Sequence, residues 1–300
     1  METIRDFNEL ISYLRQRAER KRVAVVWPDD KVTQEAVARA IEAGFASAIF
    51  VGCREEAGSN PEILRNLQHI TFVDATDCDD AARKAVEIIR NGEADILMKG
   101  KLNTDNFLRP VLNKETGILR KGSVLTHITA TKIPTYDKLL FFTDAAVIPY
   151  PTQAQRMEQI RYIAYVGRAF GIERPRIALV HCSEKVDERH FPFTGGFAEL
   201  KERASAGEFG SCILDGPMDV KTACSLKAMK KKDMDSPIQG QADALIFPDI
   251  EAANMFYKTV SLFCHAVTAA VLQGAMSPVV LPSRGDDATS KFNSLALAAL

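Results

Sequence analysis

The 300 residues carry 38 Lys and Arg against 39 Asp and Glu, a formal net charge of −1, and that balance excludes the strong basic excess of a dedicated nucleic-acid binder. Hydrophobic residues at 46% and charged residues at 26% are ordinary for a globular chain, which excludes wholesale disorder and a disulfide-stapled miniature. The length permits one large domain or two of roughly 150 residues each.

In chain order, Ile4, Phe7, Leu10, Ile11 and Leu14 recur at helical spacing, and Val23-Ala24-Val25-Val26-Trp27 reads as a buried strand. A helix over 32–43, strands at 48–51 and 70–73, a helix over 79–91 and a strand at 96–98 continue the alternation. The second half predicts helices over 153–170, 199–205, 220–231 and 251–270, with strands at 177–180, 211–214, 244–247 and 279–281. A closing helix runs from Asp286 to the end. Amphipathic helices alternating with nearly continuous apolar runs indicate an α/β protein whose strands are mostly parallel and buried on both faces. Pro149 and Pro151 stiffen the path between two such series, so a domain boundary is expected near Tyr150.

No run of about 18 apolar residues occurs; the uncharged stretch 259–283 is interrupted by His265, Gln273, Gly274, Pro278 and Pro282. Residues 1–22 are thick with charge and lack the apolar core of a secretory signal, so the cytoplasm is the expected compartment and no membrane partner is expected. Cys53, Cys78, Cys182, Cys212, Cys224 and Cys264 are scattered without metal-ligand spacing. They read as core thiols of a reducing compartment, and no metal site is expected.

In open parallel sheets ligands bind beyond the carboxyl ends of strands, where loops converge and helix N-termini point free N–H groups outward. The residues that directly follow each apolar run are therefore the informative ones. Two clusters stand out. Lys99-Gly100-Lys101, with Asn103, Thr104 and Arg109, joins cations to a glycine that lets a ligand approach the backbone and to a possible helix cap. Its pattern fits an anion site, or a glycine turn between solvated lysines. Ser283-Arg284-Gly285-Asp286-Asp287 reads equally as a helix start, but Arg284 is badly placed at the positive end of a helix dipole unless an anion joins it. His127, beside Thr126, is either a ligand contact or a structural histidine. Neither a glycine-rich dinucleotide fingerprint nor a Walker-type loop follows any strand.

Several segments together resemble the phosphate acetyltransferase/phosphate butyryltransferase family, the butyryltransferase branch more closely. They are 92–100, Leu108-Arg109-Pro110-Val111-Leu112, Ile133-Pro134-Thr135-Tyr136-Asp137 running to Thr143-Asp144-Ala145-Ala146, Asp215-Gly216-Pro217, 246–258 and Ser283-Arg284. The resemblance spans nearly the whole chain in one order. It implies a two-domain α/β/α fold like that of the isopropylmalate dehydrogenase superfamily, usually dimeric, with the active site in the interdomain cleft. The final strand and helix return to the first domain, giving residues 1–149 with 281–300 as one domain and 150–280 as the other.

The implied reaction is acyl-CoA plus phosphate giving acyl phosphate plus CoA, by direct attack, with coenzyme A as substrate and without metal, resident cofactor or covalent intermediate. Ser283, Arg284 and Asp286 are the implied catalytic residues. Lys99, Gly100, Thr104, Arg109, Thr126, His127 and Asp144 are the implied phosphate- and CoA-binding residues. Arginine forks suit the anions, and a serine hydroxyl suits a developing oxyanion or the CoA thiol. In the acetyltransferase branch an acid stands seven residues after the motif serine. Ser290 occupies that place here and cannot act as the base, which leaves Asp286 as the nearest choice. The same departure motivates an alternative, a non-catalytic CoA- or acyl-phosphate-binding protein on this scaffold.

Overall fold

A computed structural model of the chain describes every residue except Met1, Ala18, Gly58, Ser59 and Arg284. The elements run α1 (Phe7–Gln16), β1 (Lys21–Val26), α2 (Lys31–Glu42), β2 (Ala46–Gly52), α3 (Arg54–Ala57), α4 (Pro61–Leu64), β3 (Ile70–Asp74), α5 (Cys78–Arg90), β4 (Ile96–Lys99) and α6 (Thr104–Val111). Then come β5 (Thr126–Lys132), β6 (Leu140–Thr143), α7 (Gln153–Ala169), β7 (Arg176–Val180), α8 (Phe197–Ser205), β8 (Ile213–Met218), α9 (Val220–Cys224), α10 (Leu226–Lys231), β9 (Ala244–Ile246) and α11 (Ile250–Phe263). The chain closes with β10 (Val267–Gln273), β11 (Val279–Val280) and α12 (Ala288–Ala299).

These elements form two compact units, each discontinuous in sequence. One, here the first unit, comprises Phe7–Leu125 and Thr268–Leu300; the second comprises Met1–Asp6 and Thr126–Val267. The divisions fall at Leu125/Thr126 and Val267/Thr268, not near Tyr150 and at 280/281. Pro149 and Pro151 lie inside the second unit, because β5 and β6, which precede them, form a hairpin-like antiparallel pair and β6 continues in parallel onto β9.

In the first unit the strand order is β3-β2-β1-β4-β11-β10, parallel except for the β11–β10 pair. β4 is buried along its whole length and β1 over its last four residues, which is why both are spelled as continuous apolar runs. Asp30 starts α2 and Asp77 starts α5, each accepting backbone N–H groups of the first turn. α12 packs against α2 and α1, and Lys291 through Ala299 are all buried. Each fully buried Leu or Phe there stabilises by about 1.5–3 kcal/mol, and Phe292 meets Phe45 at 5.7 Å between ring centroids.

The second unit orders its strands β5-β6-β9-β7-β8, around a core that includes Phe142, Met218, Leu245 and Phe247. Its long helix α7 starts with a capping box between Thr152 and Gln155. The single helix expected over 220–231 is two, broken at Ser225, whose extended backbone leaves its hydroxyl to cap α10. The helix expected over 251–270 stops at Phe263. His265 adopts a left-handed φ of 51°, and the β-branched Val267, Thr268 and Val271 continue as strand β10. Among the described residues no helix is long and apolar enough to cross a membrane, and no group of three or more His, Cys, Asp or Glu is placed to hold a metal ion.

Candidate active site

Within the first unit, β1, β4 and β11 lie side by side and parallel, so the segments that leave their carboxyl ends converge. Asp30 after β1, Lys99 to Asn103 at the end of β4, and Pro282, Ser283 and Asp286 after β11 line one cavity of about 590 Å³. Val32, Cys78, Asn106 and Lys291 complete the wall.

Gly100 has a reason beyond ligand access. Its N–H donates to the Val26 carbonyl at 2.9 Å, and the Lys101 N–H donates to the Trp27 carbonyl at 2.9 Å. A Cβ on Gly100 would sit 2.4 Å from the Trp27 oxygen and 2.5 Å from the Val26 oxygen, so only glycine lets β4 hug the β1 exit this closely. Lys99, the last residue of β4, is 5% exposed, and its Nζ donates to the Gly100 carbonyl at 3.4 Å. Lys101 pairs with Asp29 at 3.1 Å on the exposed rim.

The Ser283–Asp286 segment is folded on itself. The Ser283 N–H donates to Asp286 Oδ2 at 2.7 Å, and the Asp286 N–H returns to the Ser283 carbonyl at 3.2 Å. The Ser283 hydroxyl accepts a long 3.5 Å bond from the Gly285 N–H, and its side chain is exposed to the cavity. Asp287 caps α12 by accepting the Ser290 N–H at 2.7 Å, so the helix begins two residues later than Asp286. Arg284 lies outside the described residues.

Behind this segment stands Lys291, 8% exposed, whose Nζ donates to Asp30 Oδ1 at 3.2 Å and to the Thr33 hydroxyl at 2.9 Å. Burial works against the Asp30 charge, but the Thr33 hydroxyl and N–H and the Lys291 ammonium more than offset it, holding this carboxyl below the usual carboxylate range. Cys78 is shifted the other way: burial, then the charges of Asp77 and Asp79, push its thiol up, so it remains protonated and is a poor nucleophile.

Thr126, His127 and Asp144 gather in the second unit. Asp144, 3% exposed, accepts from the Thr126 hydroxyl at 2.8 Å and from the N–H groups of His127, Ala146, Val147 and Ile148 at 2.9–3.3 Å. Five donors fill a carboxylate's acceptor capacity, and the result fastens the β6 exit to the start of β5. His127 is 7% exposed, with its Nδ1 3.3 Å from the Thr129 hydroxyl.

The structure thus brings Lys99, Gly100, Ser283 and Asp286 to one cavity. Thr104, the first residue of α6, and Arg109, in its last turn, are exposed and stand outside that cavity's lining. Cys78, Asn106 and Lys291 line it without having been singled out by sequence. Only Lys291 carried a signal, as the lone charged residue of the closing helix.

Comparison with known proteins agrees in sequence and in fold. The family described as phosphate acetyl/butaryl transferase matches residues 63–299. Phosphate butyryltransferase of Clostridium acetobutylicum is 37% identical over 298 residues, covering 99% of this chain and 98% of its own. Phosphate acetyltransferase of Thermotoga maritima is 34% identical, covering 95% of this chain and 96% of its own. The crystal structure of a branched-chain phosphotransacylase from Enterococcus faecalis superposes with a TM-score of 0.80 at 28% identity, covering 93% of this chain and 97% of that one. The chain belongs to the phosphate acetyl/butyryl transferase family.

Proposed function

We propose that this protein is a phosphate acyltransferase that moves a short acyl group between coenzyme A and inorganic phosphate, with butyryl or a similar chain preferred over acetyl. The observation that carries the reading is the convergence of Lys99, Ser283 and Asp286 on one strand-end cavity in a chain of this family. Phosphate oxygen attacks the thioester carbonyl, a C–O bond forms, the carbonyl oxygen becomes an oxyanion, and the C–S bond then breaks to release CoA thiolate. The Ser283 hydroxyl donates to the oxyanion or holds the departing sulfur. Arg284 and Arg109 neutralise and orient the anions as bidentate forks. In the reverse direction Asp286 takes the thiol proton.

Coenzyme A enters as substrate, and the residue chemistry calls for no resident cofactor or metal. A cytoplasmic location belongs to the same reading. A homodimer is supported by the α11 surface, where Met255, Leu262 and Phe263 are 69%, 67% and 75% exposed at spacings that share one helix face.

The test is thiol release from acetyl-, propionyl-, butyryl- and isobutyryl-CoA with and without inorganic phosphate. Phosphate-dependent release, fastest with the four-carbon thioesters, is the expected result. No release from any of them overturns the assignment.

A further inference from the structure

Two ammonium groups of the first-unit cavity are held out of bulk water: Lys99 at 5% and Lys291 at 8% exposure. Burying an ammonium is costly unless hydrogen bonds or opposite charge compensate it, and side chains of this kind on a cavity wall belong to its chemistry more often than to the surface. Lys291 donates to Asp30 and Thr33. An ammonium carries three donors; these two bonds use two of them, and Lys291 also lines the cavity. Lys99 approaches the same space from the end of β4, next to the N-terminal end of α6. The lining carboxylates are Asp30, neutralised by Lys291, and Asp286, which accepts the Ser283 N–H.

Resting on the acyltransferase reading, we propose that Lys99 and Lys291 bind the oxygens of inorganic phosphate, and of the phosphoryl group of the acyl phosphate, on the floor of this cavity. The depth of the two groups selects the ligand. A free phosphate or the phosphoryl group of an acyl phosphate is small enough to enter a cavity walled by buried ammonium groups, whereas the phosphates of coenzyme A are tethered to a nucleotide and suit exposed cations. Lys291 also clamps Asp30 and Thr33 at the start of α2, so the phosphate-binding ammonium is fixed in place before the ligand arrives, which lowers the ordering cost of binding.

The experiment measures initial rates of thiol release from butyryl-CoA while phosphate and butyryl-CoA are varied separately. Lys291→Met alone would strand the Asp30 charge, so the informative variant is Asp30→Asn combined with Lys291→Met, with Lys291→Arg as the conservative companion. The expected outcome is at least a tenfold rise in KM for phosphate in the double variant, KM for butyryl-CoA within twofold of wild type, and recovery of most of the phosphate affinity in Lys291→Arg. A purely structural role for Lys291 would move both KM values or only the melting temperature. A folded double variant with unchanged phosphate KM overturns the proposal. Should the double variant not fold, Lys99→Gln is held to the same tenfold criterion and unchanged phosphate KM there is equally fatal. Wild-type protein without thiol release would sink the acyltransferase reading alone. Calorimetric titration of wild type and Lys99→Gln with inorganic phosphate then decides the site, and a wild type that binds no phosphate overturns it.

Discussion

The Lys291 ammonium donates to Asp30 Oδ1 across 3.2 Å, joining the first turn of α12 to the residue that caps α2. Asp30 also accepts the Thr33 N–H at 2.7 Å, so one carboxylate fixes a helix start and a counter-ion together. Its folded pKa is lowered. Its contribution to stability is therefore complete above the unfolded value of about 3.9 and is lost as pH falls through the lower folded value. Asp30→Asn should destabilise the protein at pH 7 by about 2 kcal/mol, after allowance for partial exposure of the pair. Denaturant melts from pH 7 to pH 3 should show the wild-type and variant curves converging below about pH 4. A gap that stays constant to pH 3 would contradict this role.

Asp144 offers a second stability prediction, of a different kind. With five donors converging on it, Asp144→Asn replaces an accepting oxygen by an NH2 group that faces N–H donors. Two or more bonds are lost and a donor is left unsatisfied in a buried place, at about 3 kcal/mol. Urea unfolding should register that loss. A variant as stable as wild type would show that the network is dispensable.

What could be read in the sequence depended on how burial is spelled. β1, β4 and β9 are buried on both faces and use apolar letters, so they are visible as runs. β5 is buried almost throughout yet reads Thr-His-Ile-Thr-Ala-Thr-Lys. Thr126 at its start is accommodated by partners distant in sequence, Thr143, Asp144 and Gln159, and no local pattern reveals them. The site divides the same way. Lys99, Gly100, Ser283 and Asp286 follow strands directly and are found by the strand-end rule, whereas Lys291 comes from inside a helix and is brought to the cavity only by the packing of α12 on α2.

Gly100 distinguishes packing from ligand access. A methyl at this position would meet backbone oxygens of Val26 and Trp27, which cannot rotate away as a side chain would. Gly100→Ala should therefore force β4 and the β1 exit apart and destabilise the first unit by about 3 kcal/mol. Circular dichroism melts test this directly. If the glycine served ligand approach alone, the variant would melt like wild type and lose only activity.

Ser283 should behave in the opposite manner to Gly100. Its side chain is exposed to the cavity, and its only described side-chain bond is the 3.5 Å contact from the Gly285 N–H, so Ser283→Ala removes little that holds the fold. The backbone bond from Ser283 to Asp286 Oδ2 survives the substitution and keeps the segment closed. A hydroxyl that donates to an oxyanion contributes about 2.7–4 kcal/mol to the barrier. The expected result is an unchanged melting temperature with kcat for phosphate-dependent thiol release lowered about 100-fold and KM for phosphate little altered, since the loss falls on the transition state. A rise confined to phosphate KM would move Ser283 from the reacting carbonyl to the anion, and wild-type turnover would remove it from the chemistry altogether.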